Sequence, residues 1–300
     1  MSIQESQLET WSHLGAITTA KNTHESIRNA LNRYEWPEGV RFEVYLQGSY
    51  RNATNIRGDS DVDVIVELTS TFQPDLFLLT EAAKQKFRSN YSNAVYSFEH
   101  FTEDVVRALR EYYGTSAISL GNKSIKVTQG SNRLPADVVA CMTYRKYKNY
   151  ASISDQGYIH GILFRTRNEG RQVVNYPKLH YDKGVWKNSF EQTNGWYKGT
   201  ARMFKNARSR LIYEGLISAD VAPSYFVECL LYNVPSRKYG TNYTNTYVDV
   251  VNYLNQIDLD SFKCQNEQVP LFGSSHEQWS ISKAQKLISG YITLWNDWGR

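Results

Sequence analysis

Residues 61–66 read Asp-Val-Asp-Val-Ile-Val, and no other stretch restricts the fold as much. Valine and isoleucine favour extended backbone, where branched side chains pack on a pleated surface. On a strand, residues two apart share a face. Asp61 and Asp63 therefore project together from one end of a sheet, while Val62 and Val64 turn to its other side. Two carboxylates so placed repel one another unless a cation neutralises them. Hard oxygen ligands at this spacing suit Mg²⁺, which keeps its remaining positions for water and substrate phosphates. Asp59 makes an overlapping pair with Asp61, but it follows Arg57-Gly58 and belongs to the turn, where it caps or braces the loop.

The surrounding chain supplies a sheet and then a set of helices. The first 35 residues carry Leu8, Trp11, Ile17, Ile27 and Leu31 at loosely helical spacing, ended by Pro37 and Gly39. Phe42–Leu46 alternates as a strand and runs into Gly48-Ser49, followed by a polar loop over 51–60. Helical patterns lie at 75–89 and 99–113, the second closed by Gly114. Strand patterns lie at 118–120, 123–127, 134–142, 158–164 and 172–175, the last stopped by Pro177. After Asn194-Gly195 the pattern is helical, over 196–214, 223–233, 245–257 and 277–296. The expectation is an α+β chain: a mixed sheet with flanking helices over residues 1–190, and a helical lobe over 191–300. With no linker at the boundary, the two lobes are expected to share a cleft that holds the site.

Composition excludes several functions. With 41% hydrophobic and 21% charged residues the chain is not a disordered one. No stretch approaches the roughly 20 apolar residues that span a bilayer. Glu5, Glu9 and Lys21 interrupt any signal-peptide core, so a cytoplasmic location away from membranes is expected. Cys141, Cys229 and Cys264 are far apart, which argues against a disulfide framework or a thiolate zinc site. A net charge of +4, from 34 basic and 30 acidic residues, permits an anionic ligand without predicting a nucleic-acid binder. Most of the 22 tyrosines are expected to pack with the hydroxyl at the rim, and a minority to stack on bases.

Alone, an Asp-x-Asp pair is expected by chance among 30 acidic residues. Joined to Gly48-Ser49 upstream, where backbone N–H groups can approach phosphate oxygens, it becomes a candidate site. A third carboxylate is Asp137, in Leu134-Pro-Ala-Asp-Val-Val-Ala-Cys141. It enters an apolar strand, where an unpaired charge is costly, so it is either a metal ligand or a salt-bridge partner of a nearby arginine. Lys198, Arg202 and Lys205 recur at spacings of four and three. They form a basic stripe, solvated or facing a triphosphate, with Trp196, Met203, Ala207 and Leu211 on the buried side. Ser224 follows Pro223 where a helix should begin, which suits an N-cap, a phosphate contact, or both.

Gly48-Ser49, Asp61-x-Asp63 and the later Asp137 are together similar to the nucleotidyltransferase fold of the DNA-polymerase-β type. The longer string Gln47-Gly-Ser-Tyr-Arg-Asn-x-Thr-Asn-Ile-Arg-Gly-x-Ser-Asp-Val-Asp63 resembles the bacterial cGAS/DncV-like nucleotidyltransferases of CBASS anti-phage defence. Val174–His180 and Phe190–Lys205 resemble the clade E branch of that family. The resemblance implies a polymerase-β-type core with a helical C-terminal lobe and the active site in the cleft between them. It implies two Mg²⁺ ions (Mn²⁺ as an alternative) on Asp61, Asp63 and Asp137. It also implies nucleotide contacts from Gln47, Gly48, Ser49, Lys205 (to the triphosphate), Ser224 and Tyr225 (stacked on a base). The implied activity is a cyclic dinucleotide synthase using ATP and UTP, with a uridine-containing second messenger such as cyclic UMP-AMP, read by a downstream effector. The alternative is transfer to an RNA or small-molecule acceptor. Uracil recognition in clade E is associated with an asparagine, for which Asn175 is preferred over Asn168 in a turn and Asn188 in a polar loop. Animal relatives read DNA through an inserted cysteine/histidine zinc element. The six dispersed histidines here supply none, so no nucleic-acid activator is expected.

Overall fold

The computed structural model describes residues 2–57 and 61–299. The reading of Asp59 as a brace therefore lies outside the described residues. Two helices, α1 (Glu5–Ser12) and α2 (Thr18–Arg33), occupy the segment expected to form one. The interruption has a packing cause: Gly15 donates its N–H to Asn55 O at 3.1 Å and lies so close to Asn55 and Ile56 that any side chain would collide.

The sheet follows, with β1 (Phe42–Leu46), the one-turn helix α3 (Gly48–Asn52), β2 (Val62–Asp75), α4 (Glu81–Asn90) and α5 (Phe98–Tyr113). Then come β3 (Ile118–Leu120), β4 (Ile125–Val127), β5 (Ala136–Tyr150), β6 (Gln156–Arg165) and β7 (Gln172–Asn175). Among the described residues these form one seven-stranded sheet in the order β1-β2-β5-β4-β3, with β6 on the far half of β5 and β7 on β6. β2 and β5 are parallel and the other pairs antiparallel. Alternation divides β2 and β5 as their sequence implies. Val62, Val64, Val66 and Leu68, with Ala136, Val138 and Ala140, pack against Ile27 and Leu31 of α2 and Phe101, Val105 and Leu109 of α5. Asp63, Ile65, Glu67, Asp137, Val139 and Cys141 have the opposite parity and belong to the other face.

The helices after the sheet are α6 (Pro177–Lys187), α7 (Phe190–Thr193), α8 (Trp196–Tyr213), α9 (Ser224–Tyr232), α10 (Tyr243–Gln256) and α11 (Ile281–Asn296). Pro177 ends β7, as expected, but it also opens α6. A proline at the first helical position loses no intrahelical bond and brings a preset φ. α8 is the axis of its core: Ala201, Phe204, Ala207 and Leu211 are buried with Val227, Leu230, Tyr247, Leu287 and Tyr291. The Phe204 and Tyr247 rings stack at 4.9 Å.

Contacts divide the chain into two units, Ile17–Tyr50 with Ser60–Leu179, and Met1–Ala16 with Arg51–Asp59 and His180–Arg300. The character change near residue 190 thus does not describe the grouping near the N-terminus, because Ile3 and Leu8 are buried in the α8 core. Cys141, Cys229 and Cys264 are free and buried. No helix among the described residues is long and apolar enough to cross a membrane.

Candidate active site

In the sheet unit, β2 and β5 bring two of the expected carboxylates together. Asp63 and Asp137 are register partners on neighbouring parallel strands, about 4.8 Å apart at this spacing. Asp61 precedes β2 by one residue and is exposed, while Asp63 and Asp137 are half-buried. Among the described residues, no three His, Cys, Asp or Glu side chains already converge as metal ligands. The Asp137 carboxylate accepts the Ser124 hydroxyl at 3.1 Å and lies 3.6 Å from the Lys126 ammonium. Its protein cation is therefore Lys126, the residue directly opposite on the antiparallel neighbour β4, so the alternative of a salt bridge to a nearby arginine is corrected to a lysine.

The Gly-Ser step is shaped by the same carboxylates. Gln47 N–H donates to Asp63 O at 2.9 Å, which carries the β1–β2 pairing one residue further. Gly48 then turns with φ of +66°, and a Cβ there would run into Asp63 Oδ2. Only glycine lets the backbone approach this carboxylate in that conformation. Ser49 lies in the short helix α3, which also takes up Arg51 and Asn52, the first two residues of the polar loop expected over 51–60. Gln47 Oε1 is buried without a hydrogen-bond partner among the described residues. An orphaned acceptor, a glycine packed on a carboxylate and two facing aspartates fit a divalent cation and phosphate better than a closed structural corner.

Further along the same strand face lies a cluster that the sequence reading missed. Glu67 is fully buried and accepts Tyr45 Oη (2.8 Å), Thr143 Oγ1 (2.7 Å) and His160 Nε2 (2.9 Å). Lys178 Nζ, also paired with Glu43 at 2.8 Å, is 3.3 Å away. Burial raises the carboxyl's pKa, but the bonds from His160, Thr143 and Tyr45 outweigh it and lower it to about 2. Its parity with Asp61 and Asp63 was the available signal. Asn175 ends β7, and its Oδ1 accepts the Tyr176 N–H at 2.8 Å. Asn168 lies in the exposed β6–β7 turn, where its N–H donates to Asn122 Oδ1.

In the other unit, the basic residues of α8 are not a solvated face. Lys205 is 1% exposed and its ammonium is ion-paired with Glu228 of α9. It also donates to Thr54 O at 3.2 Å and Thr54 Oγ1 at 3.3 Å. Thr54 Oγ1 donates to Glu228 Oε1 at 2.7 Å, and His180 Nε2 lies 3.6 Å from the other carboxylate oxygen. Burial raises the Glu228 pKa, but the Lys205 and His180 charges and their hydrogen bonds more than reverse this and hold it well below the usual carboxylate range. Lys205 is thus enclosed by Glu228 and Thr54. Its spacing put it on the right helix, but its partner is 23 residues away in sequence. Arg202 donates to the carbonyls of Ser12 and Ala53, so it too faces inward.

Ser224 is the first residue of α9, whose N-cap position is held by Pro223 with no side-chain cap. The N-cap reading of Ser224 is corrected: the chain turns helical one residue earlier because Pro223 already supplies the extended corner. The Tyr225 ring stacks on His180 at 5.3 Å and 26°, and the residue stays 37% exposed, enough to offer a flat face to a ligand. Asn188 Oδ1 accepts the Lys198 N–H at 2.9 Å and thereby satisfies the first turn of α8, a structural duty.

Comparison with known proteins gives this geometry its context. Residues 182–296 match the family model of the cGAS/DncV-like nucleotidyltransferase C-terminal helical domain. A cyclic UMP-AMP synthase of Rhodothermus marinus is 53% identical over 300 residues, covering 100% of both chains. The chain belongs to the cGAS/DncV-like nucleotidyltransferases. A second member of these nucleotidyltransferases, a cyclic nucleotide synthase of Staphylococcus haemolyticus, is 41% identical over 99% of this chain and 100% of its own. The structure of the Rhodothermus marinus c-UMP-AMP synthase with Apcpp and Upnpp matches with a TM-score of 0.90 over 99% of this chain and 98% of that one. The polymerase-β-type sheet and helical C-terminal part expected from the motifs are thus those of the nucleotidyltransferase family.

Proposed function

We propose that the chain joins two nucleoside triphosphates into a cyclic dinucleotide with release of pyrophosphate, using ATP and UTP to make a product such as cyclic UMP-AMP. The observation that carries this reading is the 53% identity, over the full length of both chains, with the Rhodothermus marinus synthase. Asp61, Asp63 and Asp137 would hold two Mg²⁺ ions. When bound, such ions stabilise charge on the attacking and leaving oxygens of phosphoryl transfer. The chain's own residues supply position. Gly48 brings backbone against Asp63, and Ser49, one residue on, offers a hydroxyl to a phosphate oxygen. Ser224, the first residue of α9, offers its hydroxyl as a second phosphate contact. Tyr225, held by its stack on His180, offers a base platform. Asn175 would read uracil through its amide N–H donors, since its oxygen already accepts the Tyr176 N–H. The product would act as a second messenger, read by a separate effector in anti-phage defence.

Pyrophosphate release from ATP and UTP, with no added acceptor, tests the reading. Asp61→Asn with Asp63→Asn should abolish release by a folded protein, because removing two repelling carboxylates does not strain the metal-free state. Asn175→Ser should shift incorporation away from UTP. Release that requires an RNA or small molecule would replace this reading with transfer to that acceptor.

A further inference from the structure

A cavity of about 640 Å³, the size of a small-molecule site, lies between α5, β3 and the turn from β6 to β7. α5 packs on the Val62 side of the sheet, opposite in parity to Asp63 and Asp137, so this cavity is separate from the carboxylate pair. Its wall on α5 carries two stripes. Glu103, Arg107 and Glu111 follow at spacings of four and neighbour one another on the helix surface. Arg107 is held further by Asp104 at 3.3 Å and by the Tyr34 hydroxyl at 3.1 Å, so this stripe is balanced within itself. Val106 and Arg110, also four apart, form the second stripe. Arg110 and Glu111 are consecutive and do not face each other. Arg110 Nε is buried without a hydrogen-bond partner, and among the described residues Arg110 forms no salt bridge. Arg167 enters from the β6–β7 turn and forms no salt bridge among them either. Its backbone N–H donates to Asn122 O at 2.8 Å, which ties that turn to the β3–β4 hairpin. Leu120 of β3 lines the same cavity and is 39% exposed.

We infer that this cavity is a second ligand site, which takes a small organic anion. A buried guanidinium N–H that bonds nothing carries its full desolvation cost, and an anionic oxygen removes it. Arg110 and Arg167 come from two different elements and grip the carboxylate or phosphate of the ligand, since a guanidinium can offer two donors to one such group. The apolar body of the ligand covers Leu120 and packs on Val106. Binding here requires neither Mg²⁺ nor a triphosphate, so the site stands whether or not the chain makes a cyclic dinucleotide.

Fluorine NMR titrations of the full-length chain with 4-fluorobenzoate, 4-fluorophenyl phosphate and uncharged 4-fluorobenzyl alcohol test the site. At least one of the two anions should bind, and the tighter of them identifies the group that the guanidiniums take. Arg110→Gln and Arg167→Gln should each weaken that anion roughly ten- to hundredfold, and the alcohol should bind no better to wild type than the anion does to these variants. Asp61→Asn with Asp63→Asn should leave the affinity unchanged. Arg167 is exposed, so its substitution spares the fold and decides the matter by itself if Arg110→Gln is unstable. Anion affinity within about twofold of wild type in Arg167→Gln, or no binding of either anion, would overturn the site. An affinity that follows the aspartate pair instead of the arginines would overturn it as well, by placing the anion on the catalytic face.

Discussion

At the scale of single residues, the decisive feature is which charges are already spoken for. Lys205 and Glu228 form a pair removed from water, so deleting one partner leaves the other buried and uncompensated. Lys205→Met should cost about 3–5 kcal/mol. Adding Glu228→Leu should recover most of it, because well-packed apolar residues replace such pairs nearly neutrally. Urea midpoints of the single and double variants check this. A single variant as stable as wild type would show that the pair carries nothing. Glu67 gives a second test through pH. Its folded pKa is depressed from 4.5 to about 2, so its stabilisation is complete above about 4.5 and is lost as pH falls towards 2. Glu67→Gln should be less stable near neutrality, and its deficit relative to wild type should shrink across that window. A constant deficit from pH 5 to 2 would exclude Glu67 as the linked group.

At the scale of elements, the strand with the carboxylates controls the site. Gly48→Ala asks the backbone to keep a φ of +66° and pushes a methyl into Asp63. We expect a loss of roughly 1–3 kcal/mol in stability and a much larger loss of turnover, since Asp63 must turn away. Near-normal turnover in Gly48→Ala would refute the packing of that backbone on the carboxylate. Elements governed by local pattern were readable from the chain. β1 and β7 fall where Phe42–Leu46 and Gln172–Asn175 alternate, and the β2 run of branched residues is a strand that presents Asp63 to Asp137. Features governed by distant partners were not. α-Helical spacing could place Lys205 on α8 but could not say that Glu228 and Thr54 would enclose it, and Gly15 splits the first helix only because residues 55 and 56 come to lie against it. Pro177 was read only as a stop, although the same ring geometry starts α6.

At the scale of the whole molecule, the chain carries a sheet with facing aspartates and a helical part organised around α8, and it matches a uridine-using synthase from end to end. That match bears on the product more than on any one side chain, because the choice between pyrimidine and purine is made by a few hydrogen bonds at a base edge. The most direct measurement is therefore mass spectrometry of the product formed from an equimolar mixture of all four NTPs with Mg²⁺ and no acceptor. The account predicts a cyclic dinucleotide containing one uridine and one adenosine, absent when Asp61 and Asp63 are both asparagine. A product of purines alone would contradict the uridine assignment. No cyclic product from the wild-type chain would contradict the synthase itself.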